Sequence, residues 1–397
     1  MSIVMVNTCA GMGSTGKIVD WLAAEAEKAG MDTVTICGKK TENARNAICV
    51  QGKAEYYANN LLSRVCGNEG AGAQLQTRRV LKQLENTDVE LMHLHNLHGH
   101  YINAGMLFDK IKKDNIPVVW TLHDCWAFTG QCPYFTEVQC DKWKTGCNHC
   151  TQKNRYPQAY IDRSKRMWET KKRWFTGVEN MTIVTPSQWL GDLVKQSFLK
   201  EYPVKVIHNG IDLSLFQPTD GHFRQDHDLV DKKIILGVAF DWGHRKGLDV
   251  FIALSKRLPE NYQIVLVGTN EEVDRTLPSN IISIHRTQNQ RELAELYTTA
   301  DVFVIPTRED NFPTVNLEAL ACGTPVLTFQ TGGSAEMLDE TCGTAVPCDD
   351  IAALERETIR ICEEHPYSAQ ACVERAKAFE KEAQYAQYIA LYKEMIR

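Results

Sequence analysis

The sequence predicts an α/β protein built from two doubly wound, Rossmann-like domains. Apolar, strand-like runs alternate with longer helical patterns almost from end to end, which is the order that βαβ units with parallel strands produce. Several of these strands end in polar residues, and open parallel sheets bind ligands at the carboxyl ends of their strands. A chain of 397 residues is long enough to bury more than one core. We therefore expect two such domains facing each other across a cleft.

The first domain is assigned residues 1–212. It begins with a strand at 2–7, an amphipathic helix at 17–30 that a glycine closes, and a second strand at 33–38. Further buried strands are predicted at 90–95, 118–123 and 181–186.

The second domain is assigned residues 213–379, and the polar stretch 217–231 is the predicted linker. Its strands are expected at 233–238, 263–268, 281–285, 302–306 and 324–328. Residues 368–397 form a helical stretch whose aromatic side chains are suited to packing on either domain. We assign its last part, 380–397, to the first domain.

Charge and composition exclude several classes of protein. The 44 Lys and Arg residues against 50 Asp and Glu give a net charge of −6, so no overall positive field draws the chain to nucleic acid. No apolar run approaches the roughly 18 to 20 residues of a membrane-spanning helix. The first residues lack the basic start of a signal peptide. We expect a cytoplasmic protein that works in solution or at the inner face of the membrane.

A glycine-rich turn, Gly11 to Lys17, follows the first strand. The order strand, glycine-rich turn and helix lets a backbone approach a phosphate or a sugar closely. The turn nearly matches the phosphate loop GxxxxGK[ST] of kinases and NTPases, but Ile18 replaces the hydroxyl that holds Mg²⁺. A tight turn without a ligand is the plain alternative. We favour an open loop in which Gly13 and Ser14 offer N–H groups to substrate oxygens.

Residues 308–325 carry the most specific pattern. A polar loop follows the strand at 302–306, and a helix is predicted to open near Pro313 and to end at Gly323. The free N–H groups of its first turn suit a diphosphate, and Glu318 can accept both hydroxyls of a ribose. Asp310 is placed to reach the hydroxyls of a sugar. A solvated acidic helix is the alternative, but Glu318 lies among apolar residues, where an unpaired carboxylate is costly.

Together these motifs resemble the retaining glycosyltransferases of family 4, which have the GT-B fold, and among them the colanic-acid and capsular-polysaccharide enzymes. Besides the glycine-rich turn, the matching motifs are Thr121-Leu122-His123-Asp124, Thr185-Pro186-Ser187, Val206 to Asp212, Arg245-Lys246-Gly247-Leu248-Asp249, Val267-Gly268, and Gly332-Gly333 with Glu336. The sequence departs from the family pattern at two places. Asp310 stands where the E-x7-E signature has its first glutamate, and Ala239-Phe240 replaces a Gly-Arg pair. Arg245 and Lys246 therefore carry more of the expected phosphate binding.

The resemblance implies a metal-independent enzyme that transfers a sugar, with retention, from UDP or GDP to a glycan or a polyprenyl-diphosphate-linked acceptor. The first domain would hold the acceptor and the second the donor. The resemblance assigns catalytic roles to His123, Lys246, Arg245 and Asp310. It assigns donor contacts to Glu318, Gly13, Ser14, Asn311, Phe312, Thr314 and Gly268. A strand-end histidine bonded to backbone is the plain alternative for His123. A phosphate-loop kinase or NTPase and a non-catalytic nucleotide-sugar-binding protein are the competing functions.

A cysteine-rich insert at 125–150 contains four closely spaced thiols, Cys132, Cys140, Cys147 and Cys150. Four thiolates suit tetrahedral zinc, which would hold a loop with little apolar content. Reduced free thiols and disulfides are the alternatives. In either case the insert is expected to be structural, and no cofactor is expected for catalysis.

The segment that follows, 153–175, holds eight Lys or Arg residues against two acids, with aromatic residues between them. Such a face suits peripheral contact with anionic lipid or with a lipid-diphosphate acceptor. An ordinary solvated helix explains it equally well.

Overall fold

Parallel strands build two separate sheets, one in each of two units of the chain. The computed structural model describes residues 2–85 and 87–396. The first unit runs up to His208 and resumes at Glu382, and the second comprises Asn209–Lys381. The boundary predicted from the sequence lies a few residues later, after Asp212. Residues 209–212 instead belong to the second unit, where Ile211 N–H donates to the Phe379 carbonyl at 2.8 Å.

The first unit has a seven-stranded sheet in the order β3-β2-β1-β4-β5-β6-β7, with every pair parallel. The three strands β4, β5 and β6 are buried along their whole length, as expected for a sheet that helices cover on both faces. The strands are β1 (Ser2–Ala10), β2 (Asp32–Lys40), β3 (Ala47–Cys49), β4 (Leu91–Leu94), β5 (Val118–Thr121), β6 (Met181–Thr185) and β7 (Val204–Val206).

Helices lie between these strands. They are α1 (Gly13–Lys28), α2 (Lys53–Cys66), α3 (Gln74–Leu84), α4 (Ala104–Asp114), α5 (Ser164–Phe175) and α6 (Gln188–Val194). Side chains such as Val19 and Leu22 bury one face of α1 against the sheet. By contrast, Ser63 is the one buried residue of α2.

The second unit repeats the arrangement with six parallel strands in the order β10-β9-β8-β11-β12-β13. Its strands are β8 (Lys233–Val238), β9 (Tyr262–Val267), β10 (Ile281–Ile284), β11 (Val302–Ile305), β12 (Val326–Phe329) and β13 (Gly343–Val346). Its helices are α7 (Phe223–Asp226), α8 (Leu248–Leu254), α9 (Glu271–Asp274), α10 (Gln290–Thr299), α11 (Thr314–Ala321), α12 (Ile351–Glu364) and α13 (Ala369–Lys377).

The predicted linker at 217–231 is wrong, because this stretch lies inside the second unit and contains α7. Phe223 and Leu229 are buried in its core despite their polar neighbours. Arg224 also fixes the segment, since its guanidinium donates to Asp301 at 2.7 Å.

The last helix, α14 (Lys381–Met395), returns to the first unit. Its side chains Tyr385, Tyr388 and Tyr392 are buried in one cluster with Ile3 and Met5 of β1. The first unit is therefore assembled from both ends of the described chain.

Candidate active site

Two loops of the second unit, which follow β8 and β11, are joined by charged side chains. Lys246 Nζ forms an ion pair with a carboxylate oxygen of Asp310, and the two side chains are only 15% and 14% exposed. Arg245 links the same loops, since its carbonyl accepts the Arg308 N–H at 2.9 Å and its guanidinium donates to the Glu309 carbonyl at 3.1 Å. The structure thus brings together Lys246, Arg245 and Asp310, three of the residues expected to be catalytic.

A buried arginine, Arg308, also links these loops, although it was not predicted as a site residue. Arg308 is 6% exposed, and its two terminal nitrogens donate to the two carboxylate oxygens of Asp249, each at 2.8 Å. Its Nε donates to Asp349 at 2.7 Å. Planar, forked arginine contacts of this kind fix direction as well as distance. The available signal was an arginine three residues after β11 and an aspartate in the Arg-Lys-Gly-Leu-Asp motif.

Glycines let the backbones around these loops meet closely. Gly268 has a φ of 87°, and a Cβ built there would lie 1.9 Å from the Ala239 carbonyl oxygen. Gly332 has a φ of 54°, and its Cβ would lie 1.8 Å from the Asp310 carbonyl oxygen. A side chain at either position would push these loops apart. Gly268, predicted as a donor contact, is thus required by backbone packing in its own right.

The amino-terminal end of α11 follows the same loop, as predicted. Pro313 caps the helix and Thr314 is its first residue. The Asn311 N–H donates to Asp310 Oδ1 at 3.0 Å. The Phe312 ring packs on Phe379, 5.8 Å between centroids, so this predicted contact offers no exposed side chain to a donor.

Glu318 lies in the second turn of α11 and is half-buried. Its Oε2 accepts a hydrogen bond of 2.9 Å from the Tyr297 hydroxyl. This bond explains how a carboxylate is tolerated among apolar neighbours, since a buried acceptor without a donor is costly. Burial and the Glu318 charge raise the pKa of Tyr297, so the phenol stays protonated and keeps donating.

The glycine-rich turn of the first unit differs from the predicted open loop. Helix α1 begins at Gly13, so Gly13 and Ser14 form its exposed first turn. Their N–H groups still have no partner within the helix, because the first four N–H groups of any helix lack one. Ile18 is 3% exposed and belongs to the core, which leaves the phosphate-loop interpretation without its metal-binding hydroxyl.

His123 follows β5 and joins a stack of histidines. Its Nε2 lies 3.0 Å from His95 Nδ1, and the two rings are stacked with 5.3 Å between centroids. The His95 ring lies 4.0 Å from that of His93, which bonds to Thr121 and Tyr392. Burial lowers the pKa of His123 to about 4 and that of His93 to about 3, so both imidazoles are neutral near pH 7.

A second polar group, not predicted from the sequence, lies beside this stack. His98 Nε2 lies 2.9 Å from Asp124 Oδ2, and its Nδ1 lies 2.8 Å from the Tyr156 hydroxyl. The other oxygen of Asp124 accepts the Trp126 N–H at 2.8 Å. Four histidines in eight residues, from His93 in β4 to His100, were the signal that pointed to this region.

Four cysteines of the insert, Cys132, Cys140, Cys147 and Cys150, line one pocket of about 240 Å³. Cys132 and Cys150 are hydrogen-bonded through their thiols, and Cys147 Sγ accepts the Gly130 N–H at 3.2 Å. All fourteen cysteines are free thiols. In residues 2–85 and 87–396, no three Cys, His, Asp or Glu side chains are grouped so that they can hold a metal ion. Zinc binding by the insert therefore stays a prediction.

The basic segment 153–175 is not a uniformly exposed face. Trp168 and Phe175 pack into the core of the first unit, and Lys171 is fully buried. Tyr156 and Tyr160, in contrast, are 53% and 56% exposed. Within the part of the chain that the structure describes, no helix combines the length and the apolar character needed to cross a bilayer.

Two family models match the chain. One, described as Glycosyltransferase Family 4, matches residues 16–215, and one described as Glycosyl transferases group 1 matches residues 220–379. The chain belongs to glycosyltransferase family 4. The resemblance drawn from its motifs is confirmed.

Among the curated relatives of this family 4 chain is the putative colanic acid biosynthesis glycosyl transferase WcaC of Escherichia coli K12. It is 27% identical over 272 residues, which make up 66% of this chain and 65% of that protein. An uncharacterized glycosyltransferase of Methanocaldococcus jannaschii is 31% identical over 206 residues, 48% of this chain and 52% of that protein. The chain thus spans between half and two thirds of the length of these relatives.

Solved structures share the fold of this family 4 chain. Sucrose-phosphate synthase from Thermosynechococcus elongatus superposes with a TM-score of 0.74 at 21% identity, over 99% of this chain and 98% of that one. Anabaena HepE in complex with UDP and glucose has a TM-score of 0.67 at 13% identity, over 99% of this chain and 100% of that one. The predicted GT-B fold of two Rossmann-like domains is therefore confirmed.

Proposed function

We propose that this chain is a retaining, metal-independent glycosyltransferase that moves a sugar from UDP or GDP to a glycan or a lipid-linked acceptor during surface-polysaccharide assembly. One observation carries the proposal. Lys246 and Arg245 lie together on the loop after β8, and Lys246 forms an ion pair with Asp310. Asp310 lies four residues before the start of α11. Cations and free helix N–H groups together suit a pyrophosphate.

The chemistry that such a site provides is stabilisation of a leaving group. Transfer releases a nucleoside diphosphate, and the charge that develops on it needs fixed positive partners. Lys246 would exchange Asp310 for the diphosphate, which frees the Asp310 carboxylate for sugar hydroxyls. Glu318 is assigned to the ribose hydroxyls. His123 is neutral, so we assign it a hydrogen-bonding role toward the sugar and no proton transfer.

The named relatives support the donor and the setting. HepE was solved with UDP and with UDP-glucose, and WcaC is described as a colanic acid enzyme. HepE shares the fold of this chain, and WcaC is 27% identical to it over 272 residues.

A thermal-shift screen against UDP, GDP, ADP and their common sugars tests the proposal first. The stabilising donor is then incubated with glycan and lipid-linked acceptors, and the anomeric configuration of the product is read by NMR. We expect stabilisation by a UDP or GDP sugar, and transfer with retention when chelator is present. Tight binding with no transfer to any acceptor would select a non-catalytic binding protein. Mg²⁺-dependent ATP turnover that Lys17→Ala abolishes would select a kinase or NTPase.

A further inference from the structure

Helix α2 exposes an apolar face. Tyr57, Leu61, Leu62 and Val65 are 68%, 58%, 59% and 46% exposed. Their spacing of three and four residues places them on one side of the helix. Polar contacts hold α2 in place, among them a 2.6 Å hydrogen bond from Ser63 to Glu69. Apolar side chains exposed together in one patch, unlike singly scattered ones, are typical of protein or membrane interaction sites.

The chain extends this face beyond the helix. Tyr160 N–H donates to the Arg64 carbonyl at 2.8 Å, which places the 160–161 loop against the end of α2. Tyr160 is 56% exposed and Ile161 is 49% exposed. The four α2 residues with Tyr160 and Ile161 are called the apolar face below.

A basic pocket adjoins the apolar face. It has a volume of about 220 Å³ and is lined by Arg163, Arg166 and Arg173, with Asn68 and Thr170 between them. No acidic residue is among the residues that line it. The connection is direct, because Asn68 follows Gly67 at the end of α2, and a Cβ on Gly67 would lie 3.5 Å from Arg163 Cβ. These residues are called the arginine pocket.

Within the described residues, none of the three arginines forms an ion pair with a carboxylate. Other arginines of this unit do, since Arg155 pairs with Glu137, Arg79 with Glu55 and Arg45 with Glu27. Three guanidinium charges around one pocket repel each other unless an anion lies between them. Each guanidinium group can donate two parallel hydrogen bonds to two oxygens of one phosphate. The arginine pocket therefore fits a phosphate group.

We infer that the apolar face and the arginine pocket together dock the first unit on an anionic lipid surface. The pocket would take a headgroup phosphate while Leu61 and Leu62 enter the acyl boundary. Tyr57 and Tyr160 suit the interface because their rings are apolar and their hydroxyls are polar. A second copy of the chain fits less well, since a two-fold contact would bring two arginine pockets close together. This inference specifies the membrane side of the proposed function, but vesicle binding does not depend on sugar transfer.

Co-sedimentation of the full chain with vesicles tests the inference without donor or acceptor. We expect binding to phosphatidylcholine vesicles that contain phosphatidylglycerol, weaker binding to phosphatidylcholine alone, and a loss as salt rises past about 0.15 M. The variant Leu61→Glu with Leu62→Glu, and separately Arg166→Ala with Arg173→Ala, should each bind about tenfold more weakly. The controls Val230→Glu and Arg286→Ala alter exposed residues of the second unit and should bind like the parent.

Three outcomes overturn the inference. The first is equal sedimentation with both vesicle types or with neither. The second is a full block by inorganic phosphate while the leucine variant binds like the parent, which would make the pocket a site for a free anion. The third is a dimer in analytical ultracentrifugation that the leucine variant abolishes, which would assign the apolar face to a second copy. Because both leucines are more than half exposed, unchanged thermal melting is expected and confirms that the variant is folded.

Discussion

Lys246 and Asp310 are 64 positions apart in the sequence and form a largely buried ion pair where the loops after β8 and β11 meet. The pair keeps a cation in place at low cost, because neither charge is left without a partner. A diphosphate that enters this site competes with Asp310 for the ammonium group. The charge of the diphosphate is then balanced by the Lys246 side chain, which is already oriented.

Replacing Lys246 should affect transfer more than folding. We expect Lys246→Ala to lower the rate by about 100-fold or more, since a charge that develops in the transition state loses its partner. Lys246→Arg should recover part of the rate, because it keeps the charge and changes the geometry. The matched control is Lys256→Ala, an exposed lysine of the same unit. Parent-like rates for Lys246→Ala in steady-state assays would remove this residue from the site.

Glu318 is expected to act on donor affinity. Glu318→Ala should weaken binding of the nucleotide sugar by about ten- to a hundredfold in calorimetry, the effect of losing hydrogen bonds to a charged group. Tyr297→Phe keeps the carboxylate but removes the 2.9 Å bond that orients it, so its effect should be smaller. Equal donor affinity in the parent and in Glu318→Ala would contradict the assignment.

Arg308 should matter for stability. Arg308→Ala is expected to lower the free energy of unfolding by about 1 to 3 kcal/mol, because the forked bonds to Asp249 and the single bond to Asp349 are lost. About half of each aspartate side chain is exposed, so water can replace the arginine and keep the loss moderate. Chemical denaturation measures the change, and Arg257→Ala, which breaks a more exposed pair with Glu355, is its control. An equal loss of unfolding free energy in both variants would show that burial of Arg308 adds nothing to stability.

The buried histidines predict an acid-sensitive first unit. The pKa values of His93 and His123 lie near 3 and 4 in the folded chain, below the usual value of about 6.5. Between about pH 6.5 and pH 4 the unfolded chain therefore binds more protons, so stability should fall as the pH falls through this range. His123→Asn should flatten the dependence of unfolding free energy on pH. Parent and variant curves of equal slope would contradict this origin.

The cysteine insert yields a metal prediction. Lys171 is fully buried, donates to the Trp126 and Thr129 carbonyls at 2.7 and 3.2 Å, and forms no ion pair within the described chain. A zinc ion held by four thiolates would place a double negative charge in its neighbourhood. Within the described residues, no three Cys, His, Asp or Glu side chains are close enough together to hold a metal ion. Zinc binding therefore requires the thiol side chains to rotate toward a common point.

We expect about one zinc per chain in elemental analysis, lost in Cys147→Ser and Cys150→Ser and retained in Cys322→Ser, which lies in the other unit. Metal-free protein, purified without chelator and with all fourteen thiols open to titration after unfolding, would refute this prediction.

The sequence predicted the repeating strands and helices because each buried strand carries its own apolar run. It missed β3, β7 and β13, which lie at the edges of the two sheets and are only partly buried, so they carry no continuous apolar run. It misread 217–231, because two buried residues, Phe223 and Leu229, are hidden among polar ones.

In the candidate site, the sequence indicated the residue types and missed their partners. Spacing along the chain does not reveal that Lys246 meets Asp310 or that Arg308 meets Asp249. The stack of His93, His95 and His123 arises because β4 and β5 are neighbours in the sheet, and that order is set by tertiary structure.

Tyr385, Tyr388 and Tyr392 complete the packing around Ile3 and Met5, although about 380 residues separate them along the chain. During synthesis the ribosome makes the whole second unit before these tyrosines appear. Until then the surfaces of β1 and α1 that they cover are exposed to water and to other nascent chains. Domain-by-domain folding, in which each part finishes before the next is made, is therefore unavailable to the first unit. Its completion is a late event, and expression hosts rich in chaperones should improve the yield of folded protein.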